Sequence, residues 1–430
     1  MPFAPHITPG LYITGDVPGI GGIIKQRPED FLVEELPAYE PCGEGEHIYM
    51  LVEKRDMATL HMVRVIANHF GVRPDAVGIA GLKDKRAITR QLVSVHVPGR
   101  TPADFPAFEH ESISIHWTDR HTNKLRRGHL AGNRFVIRVR GVSPASVVHA
   151  HRALGRMARV GAPNRLGPQR FGNLGLNHEV GRALILEDHQ RVLDLLLGPH
   201  ASHDDGEKRE TSRAREAYAA GDLEQALAVT PRSARTERHA LSTLLRTNNP
   251  KRAVWGIDPA ERSFFVTAFQ SALFNRVLEA RMADGSFAQL LEGDLAFKHE
   301  NGAVFPIGAA ELADESVVQR LARLEISPTG PMWGPQSMHA SGAVGELEQR
   351  ALDESGVSLA QLAAHIKAAR IHVEGARRPL RVPLKYPDVE GGVDEHGAYI
   401  KCRFELPRGA FATVVMDEIM KTGHSAEEDE

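Results

Sequence analysis

Residues 22–54 read as a β-rich entry, in which His47-Ile48-Tyr49-Met50-Leu51-Val52 is a short, largely apolar, strand-like run. The period then lengthens. Leu60, Val63, Ala67 and Phe70 recur at spacings of three and four and predict a helix over 58–70, with Thr59 as N-cap and Gly71 as stop. Val77-Gly78-Ile79-Ala80 predicts a short buried strand. Leu92–Val97 predicts another, because Val93, Val95 and Val97 alternate with Ser94 and His96. The charged run Gly81-Leu82-Lys83-Asp84-Lys85-Arg86 between them is a loop. Asn133–Arg140 alternates as a strand, with Asn133, Phe135, Ile137 and Val139 on one face and Arg134, Arg138 and Arg140 on the other.

Residues 146–160 are helical by pattern, and the Gly-, Pro- and Asn-rich stretch 161–173 marks a domain boundary. Residues 201–250 are charged and helix-prone, with a linker expected at 203–207. Residues 262–282 form an apolar helix buried on most sides, and Thr329–Pro335 is a turn cluster. A helical stretch near 345–369 precedes a strand at Tyr399–Leu406 and an acidic, frayed end at 427–430. No internal repeat is present.

The chain has 430 residues, enough for two or three domains with sizeable cores. Its 42% hydrophobic and 25% charged residues exclude wholesale disorder, a collagen-like fibre and a coiled-coil rod. No apolar run is long enough for a membrane helix, so no membrane partner is expected. Residues 1–6 lack the basic and apolar regions of a signal peptide. Cys42 and Cys402 are the only cysteines and form no CxxC pair, which points to a reducing cytoplasm.

Charge is distributed unevenly. Arg120, Lys124, Arg126, Arg127, Arg134, Arg138, Arg140, Arg152, Arg156, Arg159, Arg165 and Arg170 lie in one stretch that contains no acid. The chain holds 52 basic and 55 acidic residues, so this stretch carries +12 within a remainder of −15. That asymmetry is the footprint of a polyanion groove, the alternative being a solvated basic face.

No P-loop, HExxH or GxSxG motif occurs, so a P-loop nucleotide, a resident metal and a serine nucleophile have no support. Gly19-Ile20-Gly21-Gly22 has no strand–turn–helix context and reads as a turn. One carboxylate stands out. Asp84 sits between Lys83 and Lys85, whose ammonium groups favour its ionised form. Such a carboxylate can serve as nucleophile or electrostatic stabiliser toward a sugar carbon. On local pattern alone, a surface turn of alternating charge is the better account.

Six segments, in order, change the weighting: Lys25-Gln26-Arg27-Pro28-Glu29-Asp30-Phe31-Leu32-Val33-Glu34-Glu35; Ala80–Gln91; Lys124-Leu125-Arg126-Arg127-Gly128-His129-Leu130-Ala131-Gly132-Asn133-Arg134-Phe135; Pro163–Gly172; Ala268-Phe269-Gln270-Ser271-Ala272-Leu273-Phe274-Asn275; and Phe404–Thr413. Together they resemble the TruD family of tRNA pseudouridine synthases. The fourth departs from the family pattern with Arg165-Leu166 where an aromatic pair is usual, and 200–250 is longer than in compact bacterial members.

The resemblance implies a mixed α+β fold. Its catalytic core, with a mainly antiparallel sheet, would span 1–164 and 373–430, around an inserted family-specific α/β domain at 165–372. It implies isomerisation of a tRNA uridine, at position 13 by family habit, without cofactor or metal and in a monomer. Asp84 matches the catalytic aspartate. Attack on the anomeric carbon, attack on the base and assisted elimination all remain open. Lys25, Phe31, Asn133 and Phe135 match positions of the active-site cleft. Lys25 can pair with Asp84, and Phe31 can pack beneath the cleft or simply in the core. Phe135 can stack on the extruded base beside Asn133, although Ile137 and Val139 on its face fit an ordinary core aromatic as well. Lys83, Lys85, Arg86, Arg126 and Arg127, with the rest of the basic stretch, would hold RNA phosphates. Two other functions stay open: a non-catalytic tRNA-binding module, which needs the basic stretch but not Asp84, and a base-excising glycosidase-like enzyme, which also uses the carboxylate but releases free uracil.

Overall fold

The computed structural model describes residues 10–200 and 209–422. The opening residues 1–6, the linker expected at 203–207 and the acidic end at 427–430 lie outside the described residues. The chain divides into two units. One runs from Tyr12 to Asn164 and resumes at Val382; the other holds Leu11 with Arg165–Arg381.

The first unit is built on an eight-stranded sheet. Its strands are β1 (Phe31–Pro37), β2 (His47–Arg55), β3 (Val77–Ile79), β4 (Ile88–His96), β5 (Ile113–His121), β6 (Leu130–Arg140) and the hairpin Lys385–Asp394/Gly397–Pro407. From one edge the order is Lys385–Asp394, Gly397–Pro407, β6, β1, β4, β2, β5. Only β1 and β4 pair in parallel; the other pairings are antiparallel. Helix α1 (Thr59–His69) buries Met62 and Ile66 against Met50, Val52, Val93 and Val95. Helix α2 (Val147–Val160) and the helix Ala412–Met420 bury Leu154, Met157 and Val415 against Phe31, Val33, Phe135 and Phe404. No helix among the described residues is long and apolar enough to cross a membrane.

One detail of this topology makes room for a site. Strand β2 occupies one edge of β4 along its whole length. On the other edge β1 pairs with Ile88–Arg90 and β3 with Val93–Val95. A gap opens between them at Gln91 and Leu92, and the loop leaving β3 emerges there.

Several local expectations are revised by tertiary context. Thr59 is the first residue of α1 rather than its N-cap, a position taken by Ala58. Its hydroxyl is used elsewhere, as described below. Leu60, expected on the apolar face, is 53% exposed, and Met62 and Ile66 fill the buried stripe instead. Thr329–Pro335 is not a turn cluster at its start, because Ile326–Met332 is a strand paired with Leu295–Lys298 and with Ala376–Pro379. Pairing and burial outweigh the turn preference of its Gly and Pro residues. Gly330 is there for close approach: a Cβ would lie 3.1 Å from the Phe274 ring. The stretch 345–369 is two helices, Gly342–Asp353 and Leu359–Ala369, broken near Gly356, whose φ is +72°.

In the second unit the apolar helix runs from Pro259 to Ala283. Its polar positions tie down neighbouring backbone. The Asn275 amide donates to Leu166 O at 2.9 Å and its Oδ1 accepts from Leu166 N at 2.9 Å. Gly181 lets the helix Asn177–Ile185 pack against it, since a Cβ would sit 2.0 Å from Phe265 O.

The basic stretch is less basic in space than in sequence. Arg140, 3% exposed, sends paired hydrogen bonds to Asp30 at 2.7 Å and further bonds to Asp394 at 2.9 Å. Its guanidinium holds the Asp394 carboxyl well below the usual carboxylate range. Arg134 pairs with Glu34 and Glu405, Arg156 with Asp16, and Arg165 with Glu279. These arginines hold structure together and are not free for phosphate. Replacing Arg140 by Met strands the Asp30 carboxylate, which is fully buried. Arg140→Met therefore lowers the stability of this unit by roughly 3–5 kcal/mol in denaturant unfolding. Arg127→Met, at an exposed side chain, stays within about 0.5 kcal/mol of wild type.

Candidate active site

The register of the sheet lines up an unusual row. Phe404, Phe135, Val33, Thr89 and Lys54 are successive cross-strand partners and so share one face. The neighbouring row holds Leu406, Asn133 and Glu35. This is the face that α1 and α2 cover, yet Lys54, Glu35, Thr89 and Gln91 are buried in it. Buried polar groups cost free energy unless they find partners, so their partners are informative.

Those partners belong to the loop that emerges from β3. Lys54 is 0% exposed, and its Nζ donates to the Asp84 carbonyl oxygen at 2.6 Å. Thr59 Oγ1 accepts from Lys83 N at 2.9 Å and donates to Lys83 O at 3.2 Å, clamping the same turn. Lys83 Nζ lies 2.6 Å from Glu35 Oε2 and donates to Asn133 Oδ1 at 2.9 Å. The other Glu35 oxygen accepts from Leu92 N at 3.2 Å, the backbone donor left over in the gap between β1 and β3. Gln91 Nε2 reaches Gly81 O at 3.3 Å. The loop is thus tied at Gly81, Lys83 and Asp84 to β1, β2, β4, β6 and α1.

The Asp84 side chain faces the other way. It is 30% exposed, and Oδ1 accepts from Lys25 Nζ at 2.7 Å. Lys25 reaches it from an uncommon backbone. Its φ is +57°, in the left-handed region that side chains rarely adopt, and such strain concentrates at functional positions. The chain is delivered there by Ile23, whose backbone exchanges two hydrogen bonds with Arg140, at 2.9 and 3.0 Å. Gly22 has to be glycine in this passage, with φ +86° and no room for a Cβ beside Arg140 O at 2.6 Å. Lys25 Nζ also lies 4.7 Å from the centroid of the Phe31 ring.

Asp84, Lys25, Phe31, Lys83 and Asn133 are therefore brought together, with the charges assigned differently from their order in sequence. The ammonium on Asp84 is that of Lys25, while Lys83 is turned to Glu35. Lys85, Arg126 and Arg127 are exposed. Phe135 is 6% exposed and packed between Phe31, at a 6.4 Å centroid distance and edge-on, and Phe404 at 5.6 Å. Phe31 is itself 1% exposed and carries the Lys25 ammonium over its ring, so both rings are packed in the core of this face. Sequence reasoning missed Glu35, Lys54 and Thr59. A signal for the first two existed: each is an acid or amine in phase with the apolar positions of its strand, Phe31 and Val33 for one, Met50 and Val52 for the other.

Burial pulls the two hidden charges in opposite directions. It pushes the Glu35 carboxyl up, opposed by Lys83, and brings the Lys54 ammonium down to about 8, opposed by Asp84. Between pH 8 and the ordinary lysine value near 10.5, the unfolded chain holds a proton on Lys54 that the folded chain has released. Stability from this group therefore rises with pH across that window, by at most about 1.4 kcal/mol per pH unit, and is flat below it. The stability difference between wild type and Lys54→Met, measured by denaturant unfolding at pH 7 and pH 10, should move in favour of wild type at the higher pH.

Comparison with known proteins adds an independent line. The family model described as tRNA pseudouridine synthase D (TruD) matches residues 9–419. A tRNA pseudouridine synthase D of Geobacter sulfurreducens is 44% identical over 411 residues, covering 95% of this chain and 96% of that protein. One of Anaeromyxobacter dehalogenans is 37% identical over 412 residues, again covering 95% and 96%. A crystal structure from Methanosarcina mazei, provisionally assigned to tRNA pseudouridine synthase D, has a TM-score of 0.80 at 27% identity and covers 95% of each chain. With a mixed α+β fold, a mainly antiparallel sheet and relatives matched over nearly their whole length, the chain belongs to the tRNA pseudouridine synthase D (TruD) family.

Proposed function

We propose that this protein is a tRNA pseudouridine synthase, an isomerase that converts a uridine of tRNA, at position 13, to pseudouridine with Asp84 as its nucleophile. The observation that carries the reading is the Asp84 carboxylate itself, reachable from solvent, held at 2.7 Å by Lys25 and mounted on a loop anchored from below by a buried ammonium. Family membership supports the reaction and the substrate class.

The reaction breaks the bond from the ribose anomeric carbon to a ring nitrogen and joins carbon 5 of the same uracil to that sugar. Atoms balance within the substrate, and the enzyme's task is to hold both fragments. The uridine has to leave its stack, at a cost of a few kcal/mol. Phe31 and Phe135, 1% and 6% exposed, are the apolar packing behind Lys25 against which the uracil is brought. Lys25 holds the carboxylate in place while it serves the reacting sugar or base. The amide of Asn133, fixed through Oδ1 by Lys83, is positioned to read a base edge. Lys85, Arg86, Arg126 and Arg127 are the exposed cations for neighbouring phosphates. The protein acts in the cytoplasm, as a monomer.

Incubating the full chain with unmodified tRNA and mapping pseudouridine tests this directly. Wild type converts one site, and Asp84→Asn gives no product while still binding tRNA. Product from the variant removes Asp84 from its role, and release of free uracil replaces the isomerase with a glycosidase-like enzyme. Binding without conversion by wild type leaves only an RNA-binding module. Affinity should also fall steeply with salt. The double variant Arg126→Gln, Arg127→Gln should flatten the log–log salt slope by roughly two, about one per lost phosphate contact.

A further inference from the structure

Beside the catalytic loop, and not including Asp84, lies a cleft of about 460 Å³ lined by Tyr39, Glu40, His121, Asn123, Lys124, Arg126 and His129. Its size falls within the roughly 300–1,000 Å³ of small-ligand sites. Its rings are already arranged. Tyr39 and His121 are stacked at 5.2 Å, and the His129 ring meets Tyr39 edge-on at 5.7 Å. A hydrogen-bonded chain holds them: Tyr39 Oη is 2.8 Å from His129 Nδ1 and 3.2 Å from Tyr49 Oη, which donates to Asn123 O at 3.0 Å. Arg126 and Asn123 are exposed, Lys124 is half-buried with its ammonium on Asp75 O, and Glu40 is the single acid of the lining.

The wall carrying Lys124–His129 is rigid and coupled to the catalytic loop. Gly128 N donates to Ala80 O at 2.8 Å, Arg408 Nη1 donates to Gly128 O at 2.8 Å, and Leu125 N donates to Ser94 Oγ at 3.0 Å. Gly78 allows the crossing, because a Cβ there would lie 2.3 Å from Leu125 O. His129 precedes Asn133 by four residues in extended chain, roughly 13 Å. That distance is too long for the target base and suited to a neighbour on the same strand.

Resting on the proposed reaction, we propose that this cleft is a second nucleotide subsite. It takes the base of a single-stranded nucleotide flanking the target uridine onto the Tyr39–His121 rings, and its phosphate onto Arg126. Flat aromatic and imidazole faces beside an arginine are the recurring recognition chemistry of unpaired RNA bases. Holding a neighbour here keeps the strand splayed while the target uridine occupies the Asp84 site.

The test uses the full chain in the Asp84→Asn background, where RNA binds without turnover. Affinity is measured for a substrate RNA and for the same RNA with an abasic nucleotide at each flanking position in turn. One flanking position should lose roughly 5- to 150-fold in affinity, the size of one base stack. Tyr39→Leu should show that loss on intact RNA and no further loss on the abasic RNA, while Tyr39→Phe, which keeps the ring but not its hydroxyl, should keep the sensitivity to base removal that Leu abolishes. His121→Ala repeats the comparison should Tyr39→Leu not fold. Losses from ring removal and base removal that simply add, or no sensitive flanking position, overturn the subsite. Conversion of tRNA by the enzyme with Asp84 intact, assayed alongside, separates the two failures: additive losses with conversion sink the cleft alone, and absence of conversion sinks the reaction on which it rests.

Discussion

An ammonium group removed from water must be answered by whatever the chain brings within reach, and the penalty for leaving it unanswered is several kcal/mol. At the tip of Lys54 the answer is the carbonyl oxygen of Asp84. That contact determines where the loop after β3 can lie. With the backbone of Asp84 held from beneath the sheet, its side chain is turned out toward solvent and toward Lys25. Lys83, the neighbour in sequence, is drawn inward by Glu35, whose own burial demands a cation. The alternating Lys-Asp-Lys pattern is thus sorted by the sheet into one inward amine, one outward carboxylate and one exposed amine.

The same logic governs the arginines. Twelve basic residues without an acid between them look, along the chain, like one continuous field. Folding interleaves them with acids from distant segments: Asp30 and Asp394 on Arg140, Glu34 and Glu405 on Arg134, Asp16 on Arg156. The part left exposed is narrower and includes Arg126 and Arg127 next to the loop of Asp84, with Arg152 and Arg159 on α2. Charge that was destined for structure and charge left for recognition carry the same letters in the sequence. Only the identity of their partners distinguishes them.

The six family-like segments divide in space as well. Those at 25–35, 80–91, 124–135 and 404–413 supply Lys25, Phe31 and Glu35, the loop of Asp84, Asn133 with Phe135, and Phe404 with Arg408. Residues 165–172 of the fourth segment and those at 268–275 meet in the other unit, where Asn275 grips the backbone of Leu166. Their polar residues satisfy buried backbone groups, and such a role needs no substrate.

By itself the sequence determined the strands around Asn133 and Val93, the helix at 147–160 and the membership of the family, and it singled out Asp84 as the candidate carboxylate, because periodicity and ordered motifs are local properties of the chain. It also carried Lys25, Phe31 and Asn133 as companions of that aspartate, through resemblance. It offered Lys25 as a partner of the carboxylate beside Lys83 and Lys85 without choosing among them, and it did not reveal that Lys54, Glu35 and Thr59 anchor the loop. It left Phe135 between stacking surface and core residue, and the structure packs its ring in the core between Phe31 and Phe404. Those outcomes were decided in three dimensions, where register across β1, β2, β4 and β6 sets which charged side chains lose their water and must find one another.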